Sequence, residues 1–112
     1  MKNLIESVQN KLVKKIKGLQ QRKNREKEGL FVVEGVRFVK EIPETYHILF
    51  YAVSNTFQKI NDISIYEKRS QVFILADNVF TAVADTEHSQ GILAVCQKKE
   101  RLNLLNGLLK EI

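Results

Sequence analysis

What this chain has little of narrows it first. A single cysteine, Cys96, rules out an internal disulfide and suits a reducing, cytoplasmic setting. Cys96 lies in the apolar run 91–96, where a lone cysteine reads as a small core hydrophobe rather than a reactive thiol. Two histidines, His47 and His88, are too few to assemble zinc-type spacing or a Cys/His nucleophile pair, so no metal is expected. The longest apolar run, 48–53, is far too short to span a bilayer, and no apolar stretch follows Met1 and Lys2, so neither a membrane nor an export segment is expected. G-x-G-x-x-G, G-x-x-x-x-G-K-[ST] and G-x-S-x-G are all missing, which removes the usual marks of dinucleotide, nucleoside triphosphate and serine-hydrolase sites. There is no internal repeat or low-complexity tract.

What is present fits one domain, since 112 residues can fill one modest core. The net charge of +5 is unevenly spread: residues 1–28 hold nine Lys/Arg against three acids, a balance of +6, leaving −1 for the remainder. A solvated helix face is the commoner cause of such a run. An excess this localised nevertheless favours a polyanionic partner such as nucleic acid.

Leu4, Val8, Leu12, Ile16 and Leu19 recur at spacings of four, four, four and three, predicting a first helix with Asn3, Ser7 or Asn10 as its cap. Residues 20–29 have almost nothing apolar to bury and are expected to be a solvated helix end or exposed loop where a ligand is gripped. Val32 and Val33 read as a buried strand, followed by a short helix from Val36 that Pro43 ends. Strands over 46–53, 71–75 and 91–97 alternate with a helix through Phe57, Ile60, Ile63 and Tyr66 and another capped by Asp77. This order predicts an α/β sandwich with a largely parallel sheet flanked by helices. The leucine-rich residues 102–109 have no obvious home.

Two stretches concentrate the chemistry. At Glu34-Gly35-Val36-Arg37 a strand meets a glycine turn and switches to helical spacing, aiming backbone N–H groups outward. Arg37 in a first helical turn opposes the helix dipole, which suggests a shared external anion such as phosphate; the plainer alternative pairs Arg37 with Glu34 or Glu41. A carboxylate at a helix entrance more often stabilises exposed N–H groups than acts as a base, so Glu34 is not assigned a catalytic role. The second stretch is the polar loop 85–91, in which Thr86 and Gln90 are suited to ribose hydroxyls or base edges, or simply tie down the loop.

Taken together, Ser7, Asn10, Val13-Lys14, Leu19, Arg22-Lys23, Arg25, then Phe31-x-x-Glu34-Gly35-x-Arg37-x-Val39 and finally Asp85-Thr86-x-x-x-Gln90-Gly91-Ile92-Leu93-Ala94-Val95 resemble the N-terminal substrate-binding domain of SpoU/TrmH-type RNA 2′-O-ribose methyltransferases. The resemblance covers about residues 5–97 and rests on the two motifs at this separation. It implies a fold similar to ribosomal and kink-turn RNA-binding proteins, and a domain that grips structured RNA, ribosomal or transfer, through Lys14, Arg22, Lys23, Arg25, Glu34, Gly35, Arg37, Thr86 and Gln90. It also implies a parent enzyme, a homodimer, whose knotted second domain holds S-adenosylmethionine with N-x-G-x-x-x-R, I-P-M-type and N-x-S motifs. None of these occurs here. Residues 1–100 are therefore expected to be the RNA-binding domain, monomeric when isolated and without a cofactor of its own. Residues 101–112 would be a linker or the start of a missing catalytic domain. The alternatives are a free-standing kink-turn RNA-binding protein, or a protein-interaction domain docking through 102–109.

Overall fold

A computed structural model describes residues 3–98; the predicted boundary near residue 100 and the leucine-rich stretch lie outside them. Strands β1 (Leu4–Ile5), β2 (Leu30–Glu34), β3 (Tyr46–Ser54), β4 (Gln71–Leu75) and β5 (Ile92–Lys98) form one sheet in the order β1-β4-β3-β5-β2. Helices α1 (Lys11–Gly18), α2 (Arg22–Glu28), α3 (Val36–Lys40), α4 (Asn55–Ile60), α5 (Ser64–Glu67) and α6 (Asp77–Val83) complete the chain.

The sheet is mixed, which corrects the largely parallel expectation. β1–β4 and β4–β3 pair in parallel, whereas β5 runs antiparallel to both β3 and β2. The first four strands still share one direction; the reversed β5, inserted between two of them, changes the character of both pairings it makes. Alternating strands and helices reveal chain order but not where the last strand enters the sheet.

Apolar residues alternate between the two faces. Leu93 and Val95 join Val13, Ile16, Leu19, Val79, Phe80 and Val83 beneath α1 and α6. Ile92, Ala94 and Cys96 join Val39, Phe57 and Tyr66 beneath α3, α4 and α5. Burial on both sides explains why β3 and β5 read as unbroken apolar runs. In β3 a register shift at Leu49 puts Leu49 and Phe50 on the α1/α6 face while Ile48 and Tyr51 face the other side. The Ser70 hydroxyl donates to the carbonyls of Ile48 and Leu49 at 2.9 and 3.0 Å, satisfying the bulge.

Four local expectations need correction. Leu4 opens a strand rather than a helix, and Val8 is 43% exposed; the helix starts at Lys11, capped by Asn10, whose side-chain oxygen accepts from the Leu12 amide at 2.8 Å. Val32 and Val33 are only half-buried because β2 is an edge strand. The helix expected from Phe57 to Tyr66 is two short ones, since Asn61 and Asp62 interrupt it and the Asp62 carboxylate accepts from the Ser64 amide. Asp77 does not cap α6: its carboxylate reaches across to the Thr56 amide, 2.9 Å away, and to the Thr56 hydroxyl, bonds that hold its pKa below the usual carboxylate value. Among the described residues no helix is long and apolar enough to cross a membrane, and no group of His, Cys, Asp and Glu could hold a metal ion.

Candidate nucleic-acid interface

Because β1 to β4 run the same way, their carboxyl ends and the entry to β5 lie along one edge of the sheet, where α3, α4 and α6 begin. Open α/β sheets tend to place ligands at this edge. Here it is built around the loop 85–91, and three concavities of about 350, 370 and 450 Å³ all include Thr86 in their walls.

The two predicted motifs meet in this place. The Glu34 carboxylate accepts from the Asp85 amide at 3.0 Å and from the Thr86 hydroxyl. One turn further on, Gln90 Oε1 accepts from the Val36 amide at 2.7 Å. Gly35 stands at φ +102 between these ties, and a Cβ there would approach Gln90 Oε1 to 3.2 Å. The glycine is thus required twice, for its backbone angle and for the close approach of Gln90. The amide expected to face an external anion at Val36 is instead occupied by the protein itself.

Arg37 points outward. Its side chain is 83% exposed, and its contact is the plainer of the two predicted: Glu41, one turn along, at 3.4 Å. An exposed pair this long contributes little to stability, leaving the guanidinium open to a phosphate. Arg37 lines the smallest of the three clefts together with Glu34, Gly35, Phe38, Thr86, His88 and Gln90.

The N-terminal cations are distributed differently. Arg25 is half-buried, and its guanidinium donates to the carbonyls of Leu19 and Gln20 at 2.9 and 2.8 Å, closing the corner between α1 and α2. It also lines the neighbouring cleft with Glu34 and Thr86. Arg22 is held by Glu26 at 2.9 Å, while Lys14 and Lys23 are exposed. Lys14 sits on α1, which covers the sheet face opposite α3, and it lines none of the three clefts. Glu34, Gly35, Arg37, Thr86 and Gln90 are brought together, with Arg25 adjoining; Lys14, Arg22 and Lys23 are not.

Sequence reasoning missed Phe38, 64% exposed at the mouth of the same cleft, and His88, which lines two of the three. A helical wheel contains the signal for Phe38: Val36 and Val39 turn inward, so the residue between them and beside Arg37 must turn out. His88 has no comparable signal, because its position follows from loop geometry alone.

Residues 10–94 match the family described as MRM3-like substrate binding domain. The chain is 34% identical over 96 residues to the 23S rRNA (guanosine(2553)-2′-O)-methyltransferase RlmP of Bacillus subtilis (strain 168), a match that takes in 86% of this chain and 38% of that protein. Among solved structures it is similar to an RNA 2′-O ribose methyltransferase, with TM-score 0.74 and 20% identity, over 88% of this chain and 39% of the other. It is also similar to an AdoMet-bound rRNA methyltransferase from Sinorhizobium meliloti, with TM-score 0.67 and 18% identity, over 86% and 36%. At such identities the two structures speak for the fold alone. The chain spans less than two fifths of each of these relatives.

Proposed function

This chain belongs to the MRM3-like substrate binding domains, and from that premise we propose that it recognises structured RNA on behalf of a 2′-O-ribose methyltransferase whose catalytic part lies outside residues 1–100. The observation that carries the reading is the convergence of Glu34-Gly35-x-Arg37 and Thr86-x-x-x-Gln90 from distant parts of the chain onto one open, Arg-bearing edge. Within that edge the roles divide. Arg37 meets phosphate, and Glu34 and Gln90 fix the loop. Thr86 and the amide donors of Gln90, which bond to no described residue, face ribose or base edges. Arg25 holds the flank, with Lys14, Arg22 and Lys23 contributing longer-range attraction. Ribosomal RNA is the substrate class we favour over transfer RNA, on the activity named for the Bacillus relative. A bacterial-type rRNA methyltransferase would work in the cytoplasm.

The methyl donor belongs to the rest of the parent enzyme. Neither glycine turn of the site offers a cradle for S-adenosylmethionine, since a Cβ at Gly35 would meet Gln90 and one at Gly91 would meet Ser54. Residues 101–112 then lead towards the catalytic domain, which also supplies the parent's dimer contact. A kink-turn mode of RNA contact is the finer form of this proposal, supported by the three-layer architecture and by the resemblance of the motifs.

Titration against an rRNA-derived hairpin tests the reading. Counterion release makes log affinity fall linearly with log salt. Arg37→Ala is expected to weaken binding by roughly 1 to 3 kcal/mol and reduce that slope by about one. Binding insensitive to salt, or no binding to structured RNA, would overturn it.

A further inference from the structure

Among the described residues Phe38 is the most exposed phenylalanine or tyrosine ring, and it lies in the candidate interface. Among the described residues the large hydrophobics exposed to a comparable degree are Ile60 and Ile65, which are aliphatic. Its position is fixed, not incidental. Val39 is buried on the sheet and Val36 packs against the same core, so α3 must carry Phe38 on its outer side. A Cβ on Gly35 would come within 3.8 Å of Phe38 Cδ2, so the ring lies close against a glycine backbone with most of its surface uncovered.

The surroundings of the ring are polar and partly unspent. It shares a cleft of about 350 Å³ with Arg37, Thr86, His88 and Gln90. The Arg37 guanidinium is 83% exposed beside it. Gln90 uses its carbonyl oxygen on the Val36 amide, and its NH₂ donates to no described residue. An apolar ring bordered by a cation and by unused donors is poorly matched to another apolar surface, but well matched to a nucleotide, which combines a π-face, polar base edges and a phosphate.

We propose that Phe38 is a stacking platform for an unpaired base of the RNA, with Arg37 on the adjoining phosphate and the Gln90 amide within the same cleft for the base edge. The inference rests on the RNA-binding reading and deepens it: the substrate must present at least one unstacked nucleotide to this edge, because a base inside a duplex has no free face to offer.

The test compares the wild-type 112-residue chain with Phe38→Ala and Phe38→Trp against two probes, an rRNA-derived hairpin with an unpaired loop and the same stem as a blunt duplex. Base–aromatic stacking predicts that Phe38→Ala weakens hairpin binding by roughly 5- to 150-fold, leaves duplex binding and the salt slope unchanged, and that Phe38→Trp restores hairpin affinity. Thermal melts of both variants should match the wild type, since the ring is exposed. Equal hairpin affinity for wild type and Phe38→Ala overturns the stacking role while leaving RNA recognition standing. An equal loss on hairpin and duplex also overturns it. Failure of the wild type to bind either probe removes both readings.

Discussion

Glu34 offers the sharpest separation of a residue that touches RNA from one that builds the surface RNA touches. Its carboxylate joins the end of β2 to the loop 85–91 through the Asp85 amide and the Thr86 hydroxyl. Hydrogen bonds to a charged acceptor contribute about 1.5 to 3 kcal/mol each when sheltered. Asp85 and Thr86 are exposed, however, so water can replace the lost acceptor, and about 1 to 2 kcal/mol for the pair is the reasonable scale. Glu34→Ala should then lower Tm by roughly 4 to 16 °C for a domain of this size. Locally, a loss of 1 to 2 kcal/mol multiplies the open population of the loop by about 5 to 30, so the Asp85 amide should exchange with solvent faster by that factor. Glu34→Gln keeps the shape and one good acceptor but loses the charge, and should fall between wild type and alanine. RNA affinity should drop in parallel with loop protection across the three proteins. If Glu34→Ala left both Tm and Asp85 exchange unchanged while abolishing RNA binding, the carboxylate would be an RNA contact rather than a tie, and the division of roles argued above would be wrong.

Two further outcomes test the packing at the entry to β5 and in its interior. Gly91→Ala forces a Cβ to 2.5 Å from Ser54 Oγ at a backbone angle of φ +86. Because that hydroxyl caps α4 through the Phe57 amide, strain and lost cap together should cost about 2 to 3 kcal/mol, or roughly 8 to 24 °C in Tm; a fall under about 3 °C would refute the collision. Burial pushes the Cys96 thiol up to about 11, so it holds its proton more tightly folded than unfolded and stability should decline as pH rises from about 9 towards 11. Cys96→Ala should remove that part of the alkaline loss, and the native wild type should resist thiol reagents at pH 8; rapid native labelling would contradict the burial.

Much of the fold was legible because long apolar runs have few alternatives. The stretch 46–53 and the run 91–97 read as buried strands and lie inside the sheet, and Pro43 marked a helix end, whereas Asn10 was one of three candidate caps and only the structure selects it. The errors arose where distant parts of the chain decide. Leu4 fits a helical stripe by spacing, but β4 offers its edge to Leu4 and Ile5, and pairing with Ile74 and Leu75 wins. Asp77 has the right residue type for a cap, yet Thr56, 21 residues away, competes successfully for its carboxylate. The candidate site divides the same way. Glu34, Gly35, Thr86 and Gln90 were recognisable as two motifs, but that each serves as the other's hydrogen-bond partner depends on β5 bringing them together. Arg25 shows what charge alone leaves out: its guanidinium also donates to the carbonyls of Leu19 and Gln20, bracing the corner between α1 and α2 while lining the cleft beside Glu34.

The placement of β5 also governs when the domain can come into being. A polypeptide emerges from its N-terminus, so β2 and β3 are made well before the strand that separates them. A nascent chain released only as far as residue 91 can pair β1, β3 and β4, but β2 has no neighbour until residues 92–98 slide in to match Leu30 with Gln97 and Glu34 with Leu93. Such non-local pairing is slow to form and leaves edges open while it waits. The junction carrying Glu34, Gly35 and Arg37 cannot take its final position before that insertion, so the edge assigned to RNA is completed only once β5 is in place.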